Sequence, residues 1–163
     1  MIPTAHLVEQ FKYTTEKMIE IAESVDREHW ASQPGGVRNH PAWTLPHCAM
    51  GNGMLLGFLG KDGLCPEAWG ENTGNGSMPS MDRTEYPPDA DVVDVLRKQA
   101  AEITVEAIEA ADLGAEMPHE GMREFWPTVG HAVAYMLVHH LADHKGQLLA
   151  WRRALKASLE HEK

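Results

Sequence analysis

Four stretches of this chain repeat their apolar residues at the period of an α-helix, and none shows the strict alternation of a half-buried strand. That pattern limits the possible folds more than any other feature. The first stretch, Thr4 to about Val25, sets Leu7, Val8, Phe11, Met18, Ile21, Ala22 and Val25 on one face, with Thr4 placed as its cap. The second is expected to start near Trp43 or Thr44 and to tolerate Pro46 in its first turn. It turns Met50, Met54, Leu55, Phe58 and Leu59 inward before Gly60. A third, capped by Asp89 or Asp91, carries Val92, Val93, Leu96, Ala100, Ile103, Ala107 and Ile108 to about Ala111. The fourth, capped by Thr128, runs to about Ala157 through Val133, Leu137, Leu141, Leu148 and Trp151.

The separators are as informative as the helices. Gln33-Pro34-Gly35-Gly36 breaks the chain, and Val37 to Ala42 is expected to stay irregular because a residue before proline avoids the helical region. Lys61 to Pro88 is rich in Gly, Pro, Asn and Ser, which predicts a long connection. Gly114, Pro118, Gly121 and Pro127 mark the last separator. A long link between helices two and three lets them run parallel, so the expected fold is all-α, an up-down-down-up four-helix bundle spanning residues 1–163 as one domain.

Composition narrows the partners. At 163 residues, 43% hydrophobic and 23% charged, the chain is long enough to bury a substantial core. A formal net charge of −10 opposes a nonspecific grip on nucleic acid or anionic lipid. No apolar run approaches the roughly 20 residues that span a bilayer, and the opening Met-Ile-Pro-Thr-Ala-His lacks a signal-peptide pattern, so a cytoplasmic location is expected. The two cysteines, Cys48 and Cys65, are expected as reduced thiols, and their number excludes a four-thiolate zinc site.

Within Val138-His139-His140-Leu141-Ala142-Asp143-His144-Lys145-Gly146-Gln147, His140 and His144 stand four residues apart. On a helix they lie about 40° apart around the axis and about 6 Å apart along it, so both reach one ion. An i,i+4 histidine pair also suits a solvated face or hydrogen-bonded core imidazoles. These two share the stripe of Leu137, Leu148 and Trp151, which should face inward, where an imidazole needs a partner and a metal supplies one. A histidine from another helix would complete a three-ligand site with open positions.

The segment Asn39-His40-Pro41-Ala42-Trp43-Thr44-Leu45-Pro46-His47, together with His140 through Gln147, resembles the DinB and YfiT-like family of metal-binding four-helix bundles. Tyr86-Pro87 and Pro127-Thr128-Val129-Gly130 are weaker echoes of the same family. The resemblance covers nearly the whole chain in order and spacing. It implies His47, His140 and His144 as the ligands of one divalent ion, zinc or nickel ahead of manganese. It also implies a homodimer and, from characterised relatives, transfer or isomerisation with a low-molecular-weight thiol acting on a small-molecule substrate.

The remaining candidates are weighed by position. His139 and His131 fall about 100° and about 180° around the helix from His140 and are not expected as ligands. His40 suits a turn role better than a substrate contact. Trp43, Trp126 and Trp151 are expected as packing residues, with a pocket mouth as the alternative. Cys48 reads as structural, and Asp143 as a surface residue or an intersubunit contact. Hydrolysis is the alternative activity, weakened because no glutamate stands between His140 and His144 as a general base. A noncatalytic, stress-related binding protein with a structural metal is the second alternative.

Overall fold

The computed structural model describes residues 2–161. Within them the chain is all-helical apart from one isolated antiparallel bridge between Glu116 and Thr128. The elements are α1 (Thr4–Glu23), α2 (Pro41–Phe58), α3 (Gly70–Thr73), α4 (Asp89–Glu102), α5 (Val105–Ala110), α6 (Val129–Tyr135) and α7 (Leu141–His161). A wide π turn, Met136–His140, joins α6 to α7. No described helix is long and apolar enough to cross a membrane.

Helix α1 packs on α7 and α4, and α2 packs on α4 and α7. Their apolar faces meet in a core that holds Phe11, Met18, Ile19, Leu45, Leu55, Leu56 and Leu96 away from solvent. Each fully buried large side chain contributes about 1.5–3 kcal/mol. Trp30 and Trp151 are fully buried as well, each with its polar edge satisfied. The Trp30 indole N–H donates to the Ala22 carbonyl at 3.0 Å, and that of Trp151 to Ser32 at 2.9 Å. Leu56, which helical spacing from Met50 and Met54 left out of the inward set, is fully buried.

Helix ends depart from expectation in consistent ways. Pro3, not Thr4, holds the N-cap of α1, since Pro3 is extended and Thr4 already helical. Helix α2 starts at Pro41, two residues before the expected Trp43, with Pro41 in the first turn and Pro46 in the second. The missing N–H of a proline at N1 costs nothing, because that group has no partner inside the helix. Pro88 caps α4, leaving Asp89 and Asp91 in the first turn, where their charge favours the positive helix end.

The third helical stretch is not continuous to Ala111. It breaks at Ile103 and restarts as α5, because the Thr104 hydroxyl accepts from the Ala107 N–H at 3.2 Å and forms a new cap. Thr128 occupies the N-cap position of α6, but its hydroxyl pairs with His131 Nδ1 at 2.8 Å instead of a backbone N–H. The final helix extends past Ala157 to His161. The long connection carries short helical turns at Glu67–Trp69 and Arg83–Glu85 in addition to α3. It is tied back to the start of α2, where Ser80 bonds to Tyr86 and to His40.

Candidate metal centre

Helix α2 brings His47 to one end of the core, and the π turn with the first turn of α7 brings His140 and His144. One ring nitrogen from each of the three lies within 4.8 Å of the others. The His47 and His140 Nε2 atoms are 3.3 Å apart. Two nitrogens on a tetrahedral ion with bonds of roughly 2.0–2.1 Å would stand about 3.3 Å apart, so this pair already has a ligand spacing.

Second partners decide which nitrogen is free. The His47 Nδ1–H donates to the Thr73 carbonyl at 2.7 Å, which leaves Nε2 as the lone-pair atom. The His144 Nδ1–H donates to Gln147 Oε1 at 2.9 Å, with the same result. Gln147 Oε1 also accepts from the Asn39 side-chain amide at 2.7 Å. Outer-shell acceptors of this kind fix tautomer and ring orientation in metal sites. His140 lacks one: its Nδ1 is buried without a partner. Without an ion the Nε2 of His140 meets only the Nε2 of His47, and with one bound there the proton would sit on Nδ1, so this ring is the least supported of the three.

Electrostatics suit the same role. Burial pushes the His140 ring down to about 3 and the His144 ring down to about 4, with His47 also lowered. After burial, the neighbouring imidazoles contribute, since each disfavours a charge on the next. All three are neutral at pH 7, the state in which imidazole binds a cation.

Aromatic and small residues shape the surroundings. Trp43 stacks on His47 with ring centroids 4.6 Å apart and planes 11° from parallel, while its indole N–H donates to Ser77. Gly51 faces His140: a Cβ there would stand 2.7 Å from the ring Cε1 and 2.9 Å from the Met136 Cε. Only glycine lets α2 pass this close to the ring. Beside the histidines lies a cavity of about 330 Å³, bordered by His47, His140, Met50, Met54, Met122, Met136, Trp126 and Tyr135, with Gly74 and Asn75 from the long connection at its edge.

The family model of the DinB superfamily matches residues 10–148. The chain belongs to the DinB superfamily. No curated protein and no solved structure matches it. The matched span of this DinB-superfamily chain contains all three converging histidines and both sequence segments that first suggested them.

Other candidates fall outside the cluster. His139 is exposed and pairs with Asp143 at 2.9 Å, and His131 is exposed and bonds Thr128. His40 is fully buried and caps α2, its Nδ1 accepting from the Trp43 N–H and its Nε2–H donating to Ser80 at 2.8 Å. Trp151 is a core residue, but Trp126 lines the cavity and Trp43 braces a candidate ligand. Cys48 is sealed in the core with its thiol pushed up by burial, and the Cys65 thiol is pushed up to about 11 for the same reason.

Sequence reasoning missed the supports. Asn39 and Gln147 stood inside the two signature segments, and their amides were available as a signal. The Thr73 carbonyl is a backbone group in the long connection and left no trace in residue identity. Gly51 could have been noticed only as one glycine among three within the apolar second helix.

Proposed function

We propose that His47, His140 and His144 hold one divalent transition metal ion, zinc or nickel ahead of manganese, and that the chain is an enzyme carrying out transfer or isomerisation with a low-molecular-weight thiol. One observation carries the reading: two of the three neutral imidazoles line a cavity of about 330 Å³ instead of being sealed in the core. Structural zinc sites close their shell with four protein ligands, while catalytic sites use three and keep a position open. An ion bound there would lower the pKa of a coordinated thiol or water and polarise a substrate.

The chain's own residues do the positioning. Thr73 and Gln147 hold the Nδ1 protons of His47 and His144, so both Nε2 atoms face inward. Trp43 keeps the His47 ring from rotating, and the methionines beside the cluster exclude water. No Asp or Glu is among the residues lining the cavity, so activation of water would lack a carboxylate base. A bound ion would acidify a thiol and a water alike, so the preference for thiol chemistry over hydrolysis comes from the family resemblance, with the missing carboxylate weighing against a protease-like mechanism. Cys48 and Cys65 do not fit as that thiol, because burial holds both protonated; the thiol comes from outside the chain.

In the same reading, α1, α2, α4 with α5, and the run from α6 through α7 form an up-down-down-up bundle within one domain, paired as a homodimer around small-molecule chemistry. The decisive measurement is metal content of untagged protein beside a His140→Ala/His144→Ala double variant. About one divalent ion per chain is expected, lost in the variant, followed by thiol consumption in the presence of an electrophile. No ion bound after incubation with zinc, nickel or manganese would overturn the proposal, and ester hydrolysis without thiol use would transfer it to water chemistry.

A further inference from the structure

The cavity beside the histidines has a composition that says what enters it. Met50, Met54, Met122, Met136, Trp126 and Tyr135 supply its walls, and no Lys, Arg, Asp or Glu lines it. Trp126 and Tyr135 lie against each other with ring centroids 4.9 Å apart, forming one aromatic wall. Tyr135 also stands 6.1 Å, centroid to centroid, from His140, so whatever packs on it is held beside the imidazole cluster. Bringing a charged group into such walls strips its hydration, and no side chain there supplies a counter-charge; the one charge beside the cavity would be that of an ion held by His47 and His140, at its histidine end. Thioethers, by contrast, are polarizable and conformationally adaptable, and they pack well on aromatic ring edges.

The volume of about 330 Å³ sits at the lower end of the range for small-molecule sites. Besides the histidines, the lining residues with protic side chains are Tyr135, Asn75 and Trp126, through a phenol, an amide and an indole N–H. They can orient a neutral acceptor or donor but cannot neutralise a charge.

We infer that the substrate bound in this cavity is an uncharged, largely apolar molecule the size of one or two fused rings, packed between the methionines and the Trp126–Tyr135 wall with its reactive end toward His140. This rests on the proposed metal-site function for its chemistry, but the binding itself does not require the ion.

The test uses three probes of nearly equal shape at pH 7: 1-naphthol, which is neutral, 1-naphthoate, an anion, and 1-naphthylmethylammonium, a cation. Calorimetric titration of the full chain, as purified and again after chelation, is expected to give naphthol binding about tenfold tighter than either ion in the chelated protein. The cation is the sharper control, because a chain of net charge −10 attracts cations in general. Met54→Lys should weaken naphthol by about tenfold and remove the discrimination against naphthoate. Trp126→Ala, in a loop at the cavity edge, should weaken naphthol while leaving zinc content unchanged. Equal binding of the three probes, or no naphthol binding, would overturn the inference. Naphthol binding in a protein that takes up no metal would leave the cavity assignment standing and sink the metal reading alone.

Discussion

A methyl group added at Gly51 would stand 2.7 Å from Cε1 of His140, closer than side-chain carbons pack. Met136 can swing its terminal methyl aside, but the imidazole can yield only by leaving its place 3.3 Å from His47. Gly51→Ala is therefore expected to weaken zinc binding by about tenfold or more, on the scale of losing an orienting contact at a metal site. Gly→Ala within a helix otherwise adds about 0.5–1 kcal/mol of stability, so the apo-protein should remain folded by circular dichroism. Zinc affinity equal to wild type, measured by competition with a chelating dye, would show that the ring has room to move. The residue scale also shows how much of the site could be read directly. His140 and His144 were legible from four-residue spacing on an apolar stripe, and His47 through family resemblance. Thr73 was not, because it acts through a carbonyl that every residue carries.

At the scale of elements, the start of α2 depends on a neutral histidine. His40 Nδ1 accepts the Trp43 N–H at 3.3 Å, and burial lowers the ring below its ordinary value of 6.5. Around it stand the Tyr86 ring, the Ser80 carbonyl and, at longer range, Arg83, whose charge also opposes protonation. The folded chain thus resists the proton that the unfolded chain accepts below about pH 6.5. Stability from this group is complete above that value and is lost as pH falls. Urea midpoints of metal-free protein are expected to drop between pH 7.5 and 5.5, and to drop less in His40→Asn, where asparagine retains a good N-cap. Parallel loss in both proteins would show that His40 contributes nothing to the pH dependence. The π turn ending on His140 belongs to this scale too. One inserted residue offsets the faces of α6 and α7 by roughly 100°, which simple 3.6-residue counting along the fourth stretch does not anticipate.

For the whole molecule, the core and the site are separable. Trp30, Phe11, Ile19, Leu45, Leu56 and Leu96 are buried without help from the three histidines, so chelation should leave the helical spectrum intact. Zinc at a hundredfold above its Kd would add about 2.7 kcal/mol, raising Tm by roughly 5–11 °C for a chain of this size. Thermal melts with zinc and with chelator measure this. Complete unfolding on chelation would make the ion a staple of the fold and favour a noncatalytic protein, whereas identical melts would argue against binding.

Periodicity determined that this chain is helical and which pair of histidines shares an apolar stripe, and the Gly, Pro, Asn and Ser content of Lys61 to Pro88 determined where the long connection runs, because both signals are local and survive without neighbours. Helix ends were read less well: Thr104 outcompeted the apolar period that continued to Ala111, and Pro41 began a helix where an irregular segment was expected. Only the tertiary structure decided that Thr73 and Gln147 orient the imidazoles, that Gly51 makes room for His140, and that methionines and an aromatic pair border the cavity. Those relations join residues as distant as His47 and His140, and their identity depends on how helices pack against each other, which no local pattern encodes.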